Sequence, residues 1–156
     1  MIKYVDLSVI EEEYDTKISP LIKELFLSGQ FVSSTQVEEF EKNFADYCGA
    51  KYAIALNSGT DALIFALKSL GIGEGDEVIT VSNSFVATAN AIVEVGATPI
   101  FVDIGDDLLI DSHKIEDAIT NKTKAIIPVH LMGLVCDMDK IIEIATKYNL
   151  EIIEDA

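Results

Sequence analysis

The apolar positions along the chain follow two different spacings, one before about residue 50 and one after it. Between residues 16 and 27, apolar side chains recur three and four positions apart, which predicts an amphipathic helix ending at Ser28 and Gly29. A second helix is predicted to begin at Thr35, with Glu38 completing a capping box, and to end before Gly49. Residues 1–50 are therefore predicted to form an N-terminal helical segment.

From residue 51 onward, short apolar runs alternate with helical patterns. We predict strands at 52–56, 77–81, 99–102, 125–129 and 150–153, and helices at 60–70, 85–95, 112–119 and 138–148. Strands that alternate with helices of this length imply crossover connections and a largely parallel sheet covered on both faces. The predicted fold class is α/β, and residues 51–156 form the predicted α/β domain.

Composition and charge narrow the possible functions. The 156-residue chain is 49% hydrophobic, which allows a sizeable core, and its formal net charge is −16. Phosphate backbones and anionic lipids repel such a chain, which argues against nucleic-acid and membrane partners. Two cysteines and the lack of an export or spanning segment indicate a reduced, cytoplasmic compartment. Because the last predicted strand is followed almost at once by the final residue, we expect the chain to be a piece of a longer one.

The chemistry of the chain is expected at the carboxyl ends of the predicted strands, where ligands bind in open parallel sheets. After the first strand, the sequence NSGTDA at 57–62 places Gly59 at a helix start, where free backbone N–H groups form an anion site. The alternative is a capping box of Ser58 and Asp61 that binds nothing. These residues form neither a dinucleotide fingerprint nor a P-loop.

Two further candidates follow predicted strands at the same edge. Phe85 begins a helix, where its ring can stack on a flat cofactor, although a lone Phe more commonly packs as a hydrophobic staple or as a core residue. Glu154 and Asp155 follow the last strand, and a carboxylate there can pair with a protonated ring nitrogen or simply lie in solvent. A phosphate anchor, a stacking ring and a carboxylate are together the contacts that pyridoxal phosphate (PLP) requires.

Other polar residues carry weaker signals. His130 and Cys136 lie six residues apart, a spacing that fits neither a zinc site nor a local Cys/His dyad, so we interpret His130 as structural. The aspartates between residues 103 and 111 lack the spacing of a calcium loop and are interpreted as a solvated acidic turn. The sequence predicts no metal site.

A series of motifs resembles the N-terminal part of the DegT/DnrJ/EryC1/StrS sugar aminotransferases. They cover nearly the whole chain in the family's order: VDL at 5–7, SGQFV at 28–32, VEEFE at 37–41, NSGTDAL at 57–63, GIGEGDEVI at 71–79, SFVATANAI at 84–92, GATPIFVD at 96–103, TKAIIPVH at 123–130 and IEDA at 153–156. The resemblance implies the large domain of a type I PLP-dependent transferase, the aspartate aminotransferase-like fold, with a mixed, mostly parallel sheet and helices on both faces. It also implies transfer of an amino group, usually from glutamate, to a keto group on a nucleotide-linked deoxysugar.

The resemblance assigns roles to particular residues of this chain. Gly59 and Thr60 match the positions that hold the cofactor phosphate, Phe85 matches the ring that stacks on the pyridine, and Asp155 matches the acid paired with the pyridine nitrogen. Family members are much longer, and their cofactor-binding lysine lies beyond the last residue here. We therefore expect no catalytic residue in these 156 residues and no activity from them alone. A homodimer is expected, because a partner subunit usually supplies a phosphate contact.

The chain departs from the family pattern near the expected substrate side. Many relatives carry Gly and Pro where Ser33, Ser34 and Thr35 stand, and Tyr where Met132 stands, which leaves the sugar open. With only 11 basic residues in the chain, we expect the counter-charge for a nucleotide-sugar diphosphate to come from outside it. Two alternatives remain: a PLP-dependent sugar dehydratase of the same family, in which histidine replaces the lysine, and a non-catalytic α/β binding or regulatory module.

Overall fold

The computed structural model describes residues 13–32 and 34–156. The chain divides into two compact units, Met1–Ala55 and Leu56–Ala156. The VDL motif at 5–7 and Ser33 lie outside the described residues. The predicted site residues Gly59, Thr60, Phe85 and Asp155 all lie in the second unit.

The first unit is helical in its described part, as the sequence predicts. A π-helical turn, Tyr14–Ile18, leads into helix α1, Ser19–Ser28, and helix α2 spans Thr35–Cys48. Both helices are followed by a glycine with a positive φ, 67° at Gly29 and 65° at Gly49, which is how the sequence predicts they end. Within the described ranges of the chain, no helix has both the length and the hydropathy that crossing a membrane requires.

The second unit is a parallel sheet with helices between its strands. The elements in chain order are α3 (Gly59–Ser69), β1 (Glu77–Val81), α4 (Val86–Glu94), β2 (Thr98–Val102), β3 (Thr123–Ile127), α5 (Met138–Tyr148) and β4 (Glu151–Ile152). The strands lie in the order β2-β1-β3-β4, and each neighbouring pair is parallel. The predicted α/β class is confirmed.

Apolar side chains cover both faces of the sheet. On one face, Val78 of β1 packs in a cluster with Leu67 of α3 and Ile92 of α4. On the other face, the next residue of β1, Ile79, packs in a second cluster with Ile144 of α5. Because successive strand residues point to opposite faces, one strand can supply both clusters. Each such buried side chain contributes roughly 1.5–3 kcal/mol relative to leaving it in water.

The predicted strand at 52–56 is wrong. The structure has no strand there, and Tyr52 and Ile54 are exposed. The N–H of Ala55 donates to the carboxylate of Glu41 at 2.7 Å. A strand must pair its backbone N–H and carbonyl groups with a neighbouring strand. The described residues provide no such neighbour for this segment.

Two predictions of helix structure also need correction. The helix predicted at 112–119 is instead a pair of short 3-10 turns, Ser112–Lys114 and Glu116–Ala118, because the bonds there span three residues, as from the Ala118 N–H to the Ile115 carbonyl. The capping box predicted at Thr35 is wrong as well. Ser34 has the extended backbone of a cap residue, Thr35 is the first helical residue, and the Ser34 side chain makes no capping hydrogen bond.

Candidate functional site

A cavity of about 350 Å³ lies at the carboxyl ends of β1, β3 and β4. Gly59, Thr60, Phe85 and Asp155 all line this cavity, although they come from three separate parts of the chain. The carboxyl edge of a parallel sheet is where this fold class binds ligands. The structure therefore brings the predicted residues together around one space.

The amino end of α3 supplies backbone donors to this cavity. The Ser58 hydroxyl accepts the N–H of Asp61 at 3.1 Å, and the Ser58 carbonyl accepts the N–H of Ala62. The predicted cap is therefore present, but its side chain satisfies only one of the four N–H groups that a helix leaves open at its start, that of Asp61. Those of Gly59 and Thr60 have no partner among the described residues. The space beside Gly59 is also open, because no atom lies within 4 Å of where its Cβ would be. An anion fits this position.

Phe85 presents its ring to the cavity instead of to the core. It is the residue before α4, with an extended backbone, and it is 76% exposed. The alternative that Phe85 packs as a core residue is therefore wrong. An exposed ring at the edge of a cavity offers one face for stacking on a planar ligand.

Asp155 is held in place on both its backbone and its side chain. Its N–H donates to the Pro128 carbonyl at 3.0 Å, and its own carbonyl accepts the N–H of His130 at 2.9 Å. Its Oδ2 accepts a hydrogen bond from the hydroxyl of Thr88 at 2.6 Å. The alternative that Asp155 is a freely solvated turn acid is wrong, because the residue is half-buried and fixed by these bonds.

Two residues that sequence reasoning missed, Ser84 and Thr88, also line the cavity. The Thr88 side chain is buried, and its hydroxyl lies 2.8 Å from that of Ser84. The available signal is a pair of hydroxyl residues four positions apart where a strand gives way to an apolar helix. In the structure Ser84 lies just before α4 and Thr88 lies in its first turn, so the two hydroxyls meet at the start of the helix.

His130 makes the contacts of a structural histidine at the cavity wall. Its Nδ1 accepts the backbone N–H of Cys136 at 3.3 Å, and its Nε2 lies 2.8 Å from the carboxylate of Glu154. Since Nδ1 accepts, the proton of the neutral ring belongs on Nε2, where it is donated to Glu154. The contact with Glu154 links the segments that follow β3 and β4, beside Asp155.

The Cys136 thiol is buried behind the cavity wall. Its Sγ donates to the Val129 carbonyl at 3.2 Å. Loss of solvation raises the pKa of the Cys136 thiol, because burial disfavours the thiolate. A protonated, buried thiol is a poor nucleophile.

A larger cavity, of about 510 Å³, lies at the opposite edge of the sheet. Its lining includes the first residues of β3 and β4, Thr123 and Glu151, and the residues that end α3 and α5, Leu70 and Asn149. Helix carboxyl ends carry a partial negative charge, which disfavours an anionic ligand. Its lining includes none of the predicted site residues.

Comparison with known proteins identifies the class of this fold. The chain is similar to the crystal structure of NtdA from Bacillus subtilis with bound cofactor PMP, at 45% identity and a TM-score of 0.92, over 95% of this chain and 34% of that one. The second unit is thus part of a PLP-dependent aminotransferase fold. Residues 12–156 match the DegT/DnrJ/EryC1/StrS aminotransferase family, and the chain belongs to that family.

Curated relatives extend the similarity to sugar-modifying enzymes. GDP-perosamine synthase of Caulobacter vibrioides is 54% identical over 121 residues, which are 77% of this chain and 33% of the relative. The dTDP-3-amino-3,6-dideoxy-alpha-D-galactopyranose transaminase of Aneurinibacillus thermoaerophilus is 45% identical over 156 residues, which are 99% of this chain and 43% of the relative. The chain thus spans less than half of the length of these relatives: 33% of the first and 43% of the second.

Proposed function

We propose that this chain is the N-terminal part of a PLP-dependent aminotransferase that acts on a nucleotide-linked keto-deoxysugar, with glutamate as amino donor. The observation that carries the proposal is the meeting of Gly59, Thr60, Phe85 and Asp155 around one cavity. Family membership and the names of the relatives supply the reaction class and the substrate class.

Each of these residues has the chemistry that its proposed role needs. The open N–H groups of Gly59 and Thr60 would hold the cofactor phosphate at the positive end of α3. The exposed ring of Phe85 would stack on the pyridine. The fixed carboxylate of Asp155 would accept a charge-assisted hydrogen bond from the pyridine nitrogen. When bound, PLP supplies the electron sink for amino transfer.

The cofactor-binding lysine is proposed to lie outside these 156 residues. Among the described residues, no lysine or arginine lines the cavity. Asp155 adds a negative charge to the wall. We therefore also propose that the counter-charge for the nucleotide diphosphate comes from elsewhere in the full-length protein or from a partner subunit.

The proposal includes a cytoplasmic homodimer. Both cysteines, Cys48 and Cys136, are free, which fits a reducing compartment. The helices of the first unit expose large apolar side chains, among them Leu21, Phe26 and Phe40. Apolar surface of this kind is usually covered by another part of the protein or by a partner.

The test uses the full-length protein, loaded with PLP and then treated with glutamate. We expect a cofactor absorbance band that changes when glutamate is added, and an amino sugar when a keto sugar nucleotide follows. Asp155→Asn should lower the rate of amination more than about 100-fold, as expected for loss of a preorganised charge. Glu151→Gln removes an exposed acid from the same strand region and should leave the rate unchanged.

The outcomes separate the proposal from its alternatives. A full-length protein that binds no PLP contradicts it. A product that has lost water without gaining nitrogen identifies a dehydratase instead.

A further inference from the structure

Two hydroxyl groups at the start of α4, the buried one of Thr88 and the half-buried one of Ser84, are hydrogen-bonded in a row to the Asp155 carboxylate. Thr88 Oγ1 lies 2.6 Å from Asp155 Oδ2 and 2.8 Å from Ser84 Oγ. Thr88 is only 2% exposed, so water does not compete for its hydroxyl. The three side chains form a continuous hydrogen-bonded row, which we call the hydroxyl relay.

The direction of the hydroxyl relay follows from counting protons. An ionised carboxylate has none to give, so Thr88 must donate its single hydroxyl proton to Asp155. The Thr88 oxygen is then available only as an acceptor for Ser84, so Ser84 is the donor in that pair. Each hydroxyl in the row therefore points its proton towards Asp155.

This direction leaves the two oxygens of Asp155 in different states. Oδ2 is occupied by the Thr88 hydroxyl, whereas Oδ1 has no hydrogen bond to any residue that the structure describes. A charge-assisted hydrogen bond to one oxygen restricts rotation of the carboxylate, and so restricts where the other oxygen lies. Asp155 and both hydroxyl residues line the same cavity.

The geometry points to Ser84 and Thr88 as positioning residues, which hold Asp155 so that its Oδ1 meets the ring nitrogen of the bound cofactor. This inference rests on the proposed function. Ser84 and Thr88 act through Asp155, and neither is assigned a contact with the reacting atoms. A buried donor that binds one carboxylate oxygen holds the second oxygen in place before the ligand arrives. Ligand binding then loses less free energy to ordering of the carboxylate.

The first test measures PLP affinity of the full-length apo-protein by absorbance titration. Thr88→Val keeps the shape of the side chain and removes the hydroxyl, and it should weaken binding about 10-fold, as expected for loss of a charge-assisted hydrogen bond. Ser84→Ala should weaken it less. Thr88→Ser restores the hydroxyl and should restore most of the affinity.

The matched control is Thr80→Val, which removes another buried hydroxyl from the same unit. Thr80 is fully buried and donates to the Ile127 carbonyl at 2.9 Å, and it does not line the cavity. Thr80→Val should leave PLP affinity unchanged. Equal losses in Thr80→Val and Thr88→Val, or no loss in Thr88→Val, would overturn the inference.

A crystal structure of the Thr88→Val apo-protein separates this inference from the proposed function. We expect the Asp155 carboxylate to turn away from its wild-type orientation. If it turns while the wild-type protein binds no PLP, the relay stands as a device that orients Asp155 and the proposed function fails. If it does not turn, the inference is wrong whatever the protein binds.

Discussion

Replacing Phe85 by Ala should separate cofactor binding from folding. The ring is 76% exposed, so the apo-protein gains little from it. Phe85 also makes no side-chain capping bond to α4. We therefore expect Phe85→Ala to bind PLP more weakly while the apo-protein keeps nearly its full stability.

The size of the effect follows from the exposed area of the ring. A Phe side chain presents about 200 Å², so the exposed part is about 150 Å² and one face is about 75 Å². Covering that face at about 25 cal/mol per Å² is worth roughly 2 kcal/mol, before the ~0.5–1.5 kcal/mol of stacking itself. Allowing for a smaller residual contact by Ala, a loss of about 2–3 kcal/mol corresponds to roughly 30- to 140-fold weaker PLP binding. In the apo-protein, the remaining buried part of Phe85 is worth about 1 kcal/mol.

The assay is an absorbance titration of the full-length apo-protein with PLP, paired with urea unfolding in the absence of cofactor. Phe101→Ala is the matched control, because Phe101 is 54% exposed and does not line the cavity. That control should bind PLP like the wild type. Phe85→Leu should recover part of the buried area but not the stacking.

Unchanged PLP affinity in Phe85→Ala would refute this reasoning, since it would mean that the ring covers nothing when the cofactor binds. A loss of apo-protein stability well above 1 kcal/mol would refute a different step, because it would show the ring to be packed in the fold. Equal losses of affinity in Phe85→Ala and Phe101→Ala would show a general effect of removing exposed aromatic rings.

Four further predictions concern the stability of the fold and the accessibility of its cysteines. Ser58→Ala removes the cap of α3 and should lower the free energy of unfolding in urea by about 1 kcal/mol; no change would mean that the cap is not stabilising. Ile126→Ala, at a fully buried position of β3, should cost about 2–5 kcal/mol in the same assay, and a smaller loss would indicate a looser core. A thiol reagent should label exposed Cys48 and leave buried Cys136 unmodified until the protein unfolds. Because burial raises the pKa of Cys136, stability should fall as the pH rises above the ordinary thiol value of 9.0, and Cys136→Ala should lack this alkaline loss.

Local patterns were sufficient to predict most elements of the second unit. The strand at 77–81 and the helix at 138–148 have the predicted bounds, Glu77–Val81 and Met138–Tyr148. Just before this helix, the Asp137 side chain accepts the N–H of Lys140. Just after it, Asn149 adopts the left-handed conformation that ends the helix. Both signals act within a few residues of the helix, so the sequence reveals them directly.

The sequence predicted the site residues only where they directly follow a predicted strand. Knowing that ligands bind where parallel strands end brings Gly59, Phe85 and Asp155 to one edge without any coordinates. Thr88 escaped prediction because its partner, Asp155, is 67 positions away and its own surroundings look like an ordinary apolar helix. A hydrogen bond over that separation depends on the registers of β1, β3 and β4, which no local pattern encodes.

The incorrect strand prediction at 52–56 shows that a strand-like sequence also needs a neighbouring strand in order to form one. Tyr52 and Ile54 have the composition of a strand, yet they remain 73% and 77% exposed. A strand gains stability from a neighbour that satisfies its backbone and covers its side chains, and propensity alone does not replace either contribution. The Ala55 N–H donates instead to the carboxylate of Glu41, so a side chain of the first unit satisfies this backbone group. Strand-like composition is therefore not enough to make a strand at 52–56, where no described strand pairs with the segment.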